Sequence, residues 1–216
     1  MVTDVTLSAP APAAVDREQL LVELVDRAGR PLGTSPVREA HIAPGRLHRA
    51  FSVLLYDPAG RVLLQQRAAV KKRFALRWSN ACCGHPAPGQ DIAAAATTRL
   101  AEELGITAGQ ITPLVEVGVF RYRADDATSR YVEYEWDHVL VGTLTHGVPA
   151  PDGSEVREVR WASPGPLAAE IAAQSADFTP WLAGVLNLAS KAMEAAKAGE
   201  AGEAGKAAGE AQSRDA

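Results

Sequence analysis

Trp78 to Gly105 reads WSNACCGHPAPGQDIAAAATTRLAEELG, and it sets a thiol and an imidazole at the mouth of a strand–loop–helix unit. A short apolar strand ends in Cys82-Cys83, Gly84 turns the chain, and His85 follows at once. Pro86, Pro88 and Gly89 stiffen the loop. Asp91 is placed to cap a helix, because its carboxylate can accept from the first free N–H groups. The alanine-rich helix runs to about Leu104, and Gly105 stands where a left-handed C-terminal residue is wanted. Arg99 and Glu103, four apart, share one face of it. Strand alternation sends Cys82 to the face opposite Cys83, as an inert buried thiol.

Further ionisable groups lie outside this unit. In Val132-Glu133-Tyr134-Glu135-Trp136 the two carboxylates are two residues apart, so on a strand they point the same way, roughly 7 Å apart. Such a pair on an apolar strand is costly unless something neutral or cationic meets it. Histidine is scarce: His41, His48, His85, His138 and His146. His41 and His48 bracket IAPGRL, a spacing that suits a loop leading into a strand and not one helix face. Arg67, Lys71, Lys72, Arg73 and Arg77 form a basic stretch, in which Lys72, Arg73 and Arg77 read as a solvated loop.

The elements that position these groups follow from pattern. Residues 1–17, with APAPAA, read as a mobile arm. Strands are expected over Leu20 to Asp26, Leu47 to Tyr56, Arg61 to Arg67, Thr112 to Arg123, Tyr131 to Leu144 and Glu155 to Trp161. Asp57-Pro58-Ala59-Gly60 makes the turn of a hairpin. Arg38 to Arg46 reads as loop. Helices are expected after Ser163 and over Phe178 to Ala196, with Pro180 early in the latter. The Ala/Gly/Glu/Lys tail, 197–216, reads as disordered. Strands mixed with a few helices, without regular βαβ alternation, indicate an α+β sandwich, with 18–196 as its domain.

The 216 residues suffice for one domain with a sizeable core, and 47% hydrophobic with 22% charged residues is ordinary for a soluble protein. A net charge of -4 argues against bulk nucleic-acid binding. The two cysteines are adjacent, which argues against a disulfide-stapled secreted fold. No apolar run approaches a membrane span and no signal peptide is visible, so the expected location is cytoplasmic. Nothing in the sequence decides between monomer and dimer.

Gly84, Gln90, Thr98-Arg99-Leu100, Glu102-Glu103 and Gly105-Ile106 stand in the order of a Nudix box. The usual box has Glu at the place of Gln90 and Arg-Glu at the place of Thr98-Arg99. Those departures remove carboxylates that a diphosphate hydrolase uses to hold magnesium. Together with Cys-Gly-His-Pro they resemble type I isopentenyl diphosphate isomerase, a Nudix-fold enzyme that is not a hydrolase. The resemblance covers about Leu20 to Trp181 and implies a mixed β-sheet sandwiched between α-helices.

It further implies a metal site of His41, His48, His85, Glu133 and Glu135, whose donor set suits Mn²⁺ or Zn²⁺. A Mg²⁺ bound with the substrate diphosphate would use Glu103 and the carbonyl of Cys83, leaving Glu102 a solvated helix charge. Arg67 and Lys71 match the family's diphosphate contacts, and Arg99 shares the helix face of Glu103. A further basic contact of the family falls on Val37, with Arg38 as the nearest substitute. The implied reaction interconverts isopentenyl and dimethylallyl diphosphate, antarafacially, in isoprenoid biosynthesis. Cys83 and Glu135 would be its two acid–base groups, Tyr122 would assist Glu135, and Trp181 would face the cation. No organic cofactor is expected.

Overall fold

The structure is a computed structural model that describes residues 16–214, with side chains to residue 199. The expected N-terminal arm therefore lies outside the described residues except for Asp16 and Arg17.

The chain opens with a hairpin, β1 (Leu21–Val25) and β2 (Pro31–Pro36). The second strand was not expected from the sequence. Prolines at both of its ends confine it to a sheet edge, and β1 is its partner there. A helical turn, α1 (Val37–His41), replaces the start of the loop expected from Arg38. It forms because Val37 and Ala40 bury against Val22, which brings His41 inside.

β3 (His48–Tyr56) and β4 (Val62–Arg67) follow as the expected hairpin. The apolar strand expected to end at Cys82-Cys83 is two short strands, β5 (Trp78–Asn80) and β6 (Cys82–Gly84). They do not share a partner: β5 pairs with β4, and β6 with β3. The chain crosses between neighbouring strands at Ala81.

α2 (Ile92–Leu104) begins as expected, with the Asp91 carboxylate accepting from the Ala94 N–H at 2.8 Å, and ends at Gly105 with φ 63°. β7 (Val115–Asp125) and β8 (Val132–Thr143) make a long hairpin, and β9 (Val156–Ala162) adds to β4. α3 (Pro164–Ala173) and α4 (Leu182–Arg214) complete the order. Phe178 to Trp181, expected in the last helix, precede it; Phe178 instead bridges to Trp78. The alanine-rich residues 197–214, expected to be disordered, continue α4, in keeping with alanine's helix propensity.

Among the described residues the strands form one mixed sheet, in which β3 runs parallel to β8 and antiparallel to its other partners. β3 shows why helices cover both faces. Phe51, Val53 and Leu55 pack with Ala96, Leu100 and Leu104 of α2, while Leu54 and Tyr56 pack with Leu167 of α3 and Leu182, Val185 and Ala189 of α4. The period-two alternation of the strand thus feeds two cores, and the expected α+β sandwich is the fold.

The β4–β5 loop is anchored to the β7–β8 hairpin by Asp126. This buried carboxylate accepts from the backbone N–H of Phe74 at 3.1 Å and Thr128 at 3.0 Å, and from the Thr128 and Ser129 hydroxyls. Burial alone would raise its pKa, but these donors hold it below the usual value. A depressed pKa means that the stabilisation is complete above about pH 4 and lost as pH falls through the folded value. Asp126→Asn should therefore cost about 1–3 kcal/mol at pH 7. In urea titrations the gap to wild type should close as pH is lowered below about 4; a gap independent of pH would show that the charge is irrelevant.

Candidate active site

β8 is the floor of the site. Its alternation turns Glu133, Glu135 and Asp137 to one face, all buried. The parallel register sets His48 opposite Glu135, and the antiparallel register sets Tyr122 opposite the same residue. Glu135 is thus held between an imidazole and a phenol. Tyr122 donates its hydroxyl to Glu135 Oε2 at 2.6 Å.

Three imidazoles meet above this floor. Ring centroids are 4.6 Å apart for His41 and His48, and 4.9 Å for His85 to each of them. His41 comes from α1, His48 from the first residue of β3, and His85 from just beyond β6. Their ligand atoms and one from Glu135 all lie within 4.8 Å of one another. His41 Nδ1 lies 2.7 Å from the Val37 carbonyl and His48 Nδ1 2.7 Å from that of Arg46. Carbonyls only accept, so both rings carry a proton on Nδ1 and turn Nε2 inward. Glu133 brings Oε2 to 2.8 Å from His41 Nε2, while the buried His48 Nε2 has no hydrogen-bond partner. Buried acceptors left without donors are costly. Imidazole nitrogens and carboxylates converging in this way fit a divalent metal ion.

Burial would lower His41, but the Glu133 carboxylate beside it raises it above its ordinary value. Burial pushes His48 down to about 3, reinforced by His41 and His85, and drives His85 well below its ordinary value. Burial also pushes Glu135 up to about 7, with the Glu133 charge adding to it. Glu133 is held well below the carboxylate range because His41 and Arg73 outweigh its burial. Without an ion the two carboxylates repel, and a divalent cation would relieve both.

Cys83 lies beside this cluster, with its thiol 3.2 Å from Asn80 Oδ1 and 3.6 Å from Ser52 Oγ. Burial, helped by the Asp137 charge, pushes the thiol up to about 12. Cys82 faces the α2 core instead. Trp181 is buried, with its ring centroid 5.7 Å from Tyr122 and 5.3 Å from Phe74. Phe74 and Leu76 have positive φ, 47° and 62°, a strained backbone in the loop that presses on the site.

Cys83, Glu135, Tyr122 and Trp181 share a cavity of about 310 Å³ with Arg67, Lys71, Arg99 and Glu103. Arg99 pairs with Glu103, Lys71 with Glu155, and Gln65 Nε2 donates to Glu103 at 2.8 Å. Arg67 donates to the Arg73 carbonyl and stands 5.9 Å from the Trp181 ring. Glu102 is half-exposed, as expected, but is paired with Arg17 and Arg99.

Part of the basic stretch differs from expectation. Lys72 is exposed, whereas the Arg73 side chain is only 13% exposed and bridges Glu18 at 3.1 Å to Glu133 at 3.3 Å. Arg77 donates to the Phe178 carbonyl at 3.2 Å. These two are ordered by carboxylate and carbonyl partners remote in sequence, so they are not a solvated loop. Val37 lines the cavity, but Arg38 is exposed and does not; Arg17, paired with Glu102, is a further cation in the lining. Sequence reasoning missed Arg17, Ser52, Asn80, Arg73, Asp137 and Glu155. Asp137 alone carried a signal, since it continues the alternation of Glu133 and Glu135.

Such a sheet, with a helix carrying arginine and glutamate into a cavity beside it, is that of a Nudix protein: the NUDIX domain model matches residues 46–182. Within that class the chain belongs to the isopentenyl-diphosphate Delta-isomerase family. A relative of that name from Nocardia farcinica is 63% identical over 171 residues, covering 79% of this chain and 95% of its own. One from Streptomyces griseus subsp. griseus is 44% identical over 176 residues, covering 82% and 86%. The crystal structure of DR0079 from Deinococcus radiodurans shares the fold, with a TM-score of 0.62, 17% identity and coverage of 77% and 97%. Among the described residues no helix is long and apolar enough to cross a membrane.

Metal at a hundredfold excess over its dissociation constant should stabilise the protein by about 2.7 kcal/mol. His48→Ala should abolish most of that gain while leaving a folded protein. Thermal unfolding with and without Mn²⁺ checks this; equal stabilisation of variant and wild type would remove His48 from the ligand set.

Proposed function

We propose that this chain interconverts isopentenyl diphosphate and dimethylallyl diphosphate, with residues 18–196 as the catalytic domain. The observation that carries the reading is the convergence of Cys83 and the Tyr122–Glu135 pair on one cavity that also holds arginine and lysine side chains. Family membership supports the same chemistry. Moving an unactivated double bond requires a proton delivered to one carbon and another removed two carbons away, through an intermediate resembling a tertiary carbocation. The antarafacial course that the family resemblance implies sets two acid–base groups on opposite sides of a flat substrate.

In this reading Cys83 and Glu135 are those groups. Tyr122 holds Glu135 Oε2, so that the carboxylate is oriented when it moves a proton. Trp181 turns its π-face to the developing cation, a contact worth about 2 kcal/mol or more once water is excluded. Arg67 and Lys71 receive the diphosphate, with Arg99 near enough on α2 to approach it; arginine suits bidentate phosphate binding and lysine acts as a point charge. Lys71 and Arg99 now pair with Glu155 and Glu103, and a diphosphate would compete for them.

His41, His48, His85, Glu133 and Glu135 would hold Mn²⁺ or Zn²⁺, while Glu103 and the Cys83 carbonyl would hold Mg²⁺ with the substrate. Bound there, the ions supply positive charge that neutralises the carboxylates and the diphosphate. The remaining assignments concern setting. Two free cysteines fit a reducing compartment, which supports a cytoplasmic location. The product is an allylic diphosphate, a building block of isoprenoid synthesis.

Proton NMR of metal-loaded protein with isopentenyl diphosphate in deuterated water should show dimethylallyl diphosphate carrying deuterium. Phosphate release without isomer would instead identify a hydrolase. Cys83→Ala should lower turnover by at least about a hundredfold, with metal content and folding retained; a fully active variant would remove the thiol from the mechanism.

A further inference from the structure

Asn80 ends β5, one residue before the chain crosses to β6, and is fully buried. Its amide nitrogen donates to two backbone carbonyls, Val53 at 3.2 Å and Cys82 at 2.8 Å. Those bonds fix the amide's orientation, because a flipped amide would set its oxygen against both carbonyls. Oδ1 is therefore committed to the other side, where it meets three donors. They are the Ser79 hydroxyl at 3.1 Å, the Cys83 thiol at 3.2 Å and the Trp181 indole N–H at 3.1 Å.

The alternatives open to these donors are few. The indole has a single N–H, and it is spent on Asn80. The thiol's other polar neighbour is Ser52 Oγ at 3.6 Å, whose own proton goes to Asp137 Oδ2 at 2.7 Å. One carbonyl oxygen thus ties a thiol on β6 to an indole that precedes α4, two groups almost a hundred residues apart in sequence and lining the same cavity.

We propose that Asn80 is a positioning residue for the isomerisation, setting the Cys83 rotamer and the plane of the Trp181 ring together. This rests on the functional reading above. A proton transfer and a cation–π contact to the same small substrate succeed only if both groups hold their places to within a fraction of an ångström. Removing the oxygen leaves a buried indole N–H without an acceptor. The thiol then turns toward Ser52, and the ring keeps its contacts with Phe74, Tyr122 and Arg67 but no hydrogen bond to fix its plane.

The test compares Asn80→Ala and the similarly sized Asn80→Leu, both lacking the oxygen, with wild type, all metal-loaded. For each, kcat, KM and thermal stability are measured, together with the indole ¹H–¹⁵N resonance of Trp181, assigned with Trp181→Phe. The rate at which iodoacetamide alkylates Cys83 is followed by peptide mass. We expect kcat to fall about tenfold or more, the cost of losing a buried hydrogen bond, and KM to change by less than about twofold. The indole resonance should move upfield and Cys83 alkylation should change in rate. A folded variant with wild-type kcat overturns the proposal, as does a loss of activity matched by the unfolded fraction with the indole resonance unmoved. Should neither variant fold, hydrogen exchange of the Trp181 indole in the wild type decides: slow exchange supports the bond, and exchange as fast as a free indole overturns it. Wild-type protein that forms no dimethylallyl diphosphate sinks the functional reading itself, a result distinct from any produced by the Asn80 variants.

Discussion

Two carboxylates and three imidazoles buried together repel or starve one another unless a multiply charged cation joins them. Most of the local architecture follows from that constraint. The two Nδ1 bonds to Val37 and Arg46 fix which imidazole nitrogen faces inward. The parallel pairing of β3 with β8 brings His48 level with Glu135. The helical turn α1 exists in a stretch without strong helix signals because burying Val37 and Ala40 carries His41 to the same point. His41 and Arg73 stand against Glu133 and, despite its burial, hold its carboxyl well below the ordinary range. Apolar residues at these positions would make an easier core, so the arrangement is intelligible as a receptacle and not as packing.

The parts of the molecule legible in the sequence are those whose signals are local. The helix from Ile92 to Leu104 was bounded by its cap and its terminal glycine, and the long strands by their β-branched and aromatic runs. The pairing of Glu133 with Glu135 followed from strand alternation. What stayed hidden depends on partners distant in sequence. Arg73 looks like one more surface cation until the fold sets Glu18 and Glu133 beside it. Asn80 carries no motif of its own; its importance appears only when Trp181 arrives from a hundred residues downstream. The edge strand β2 was obscured by its prolines, and the strand break at Ala81 by the lack of any proline or glycine between Trp78 and Cys83.

The loop between β4 and β5 joins the two halves of the site. It carries Lys71 to the carboxylates of Glu103 and Glu155, Arg73 to Glu133 on the floor, and Phe74 to the edge of Trp181. Two of its non-glycine residues have positive φ, a conformation that persists only where the surroundings over-determine it. Asp126 and the Arg77 contact to Phe178 are such surroundings. Glu18, near the start of the described chain, reaches the same loop through Arg73, so the N-terminal wall of the cavity and the carboxylates of its floor are mechanically continuous.

The crossing at Ala81 has a consequence for how such a protein can vary. β5 is registered to β4 on one side of that residue and β6 to β3 on the other. A residue inserted or deleted between Asn80 and Cys83 would turn the thiol into the α2 core and bring Cys82 or a glycine to the cavity, without changing a single side chain. The connection from Thr145 to Ser154 is under no such restriction, being largely exposed and outside the strands. Length changes are therefore tolerable over the 145–154 loop and intolerable over the short span of 80–83, so diversity in related chains, natural or engineered, should accumulate as insertions at the first and as substitutions alone at the second.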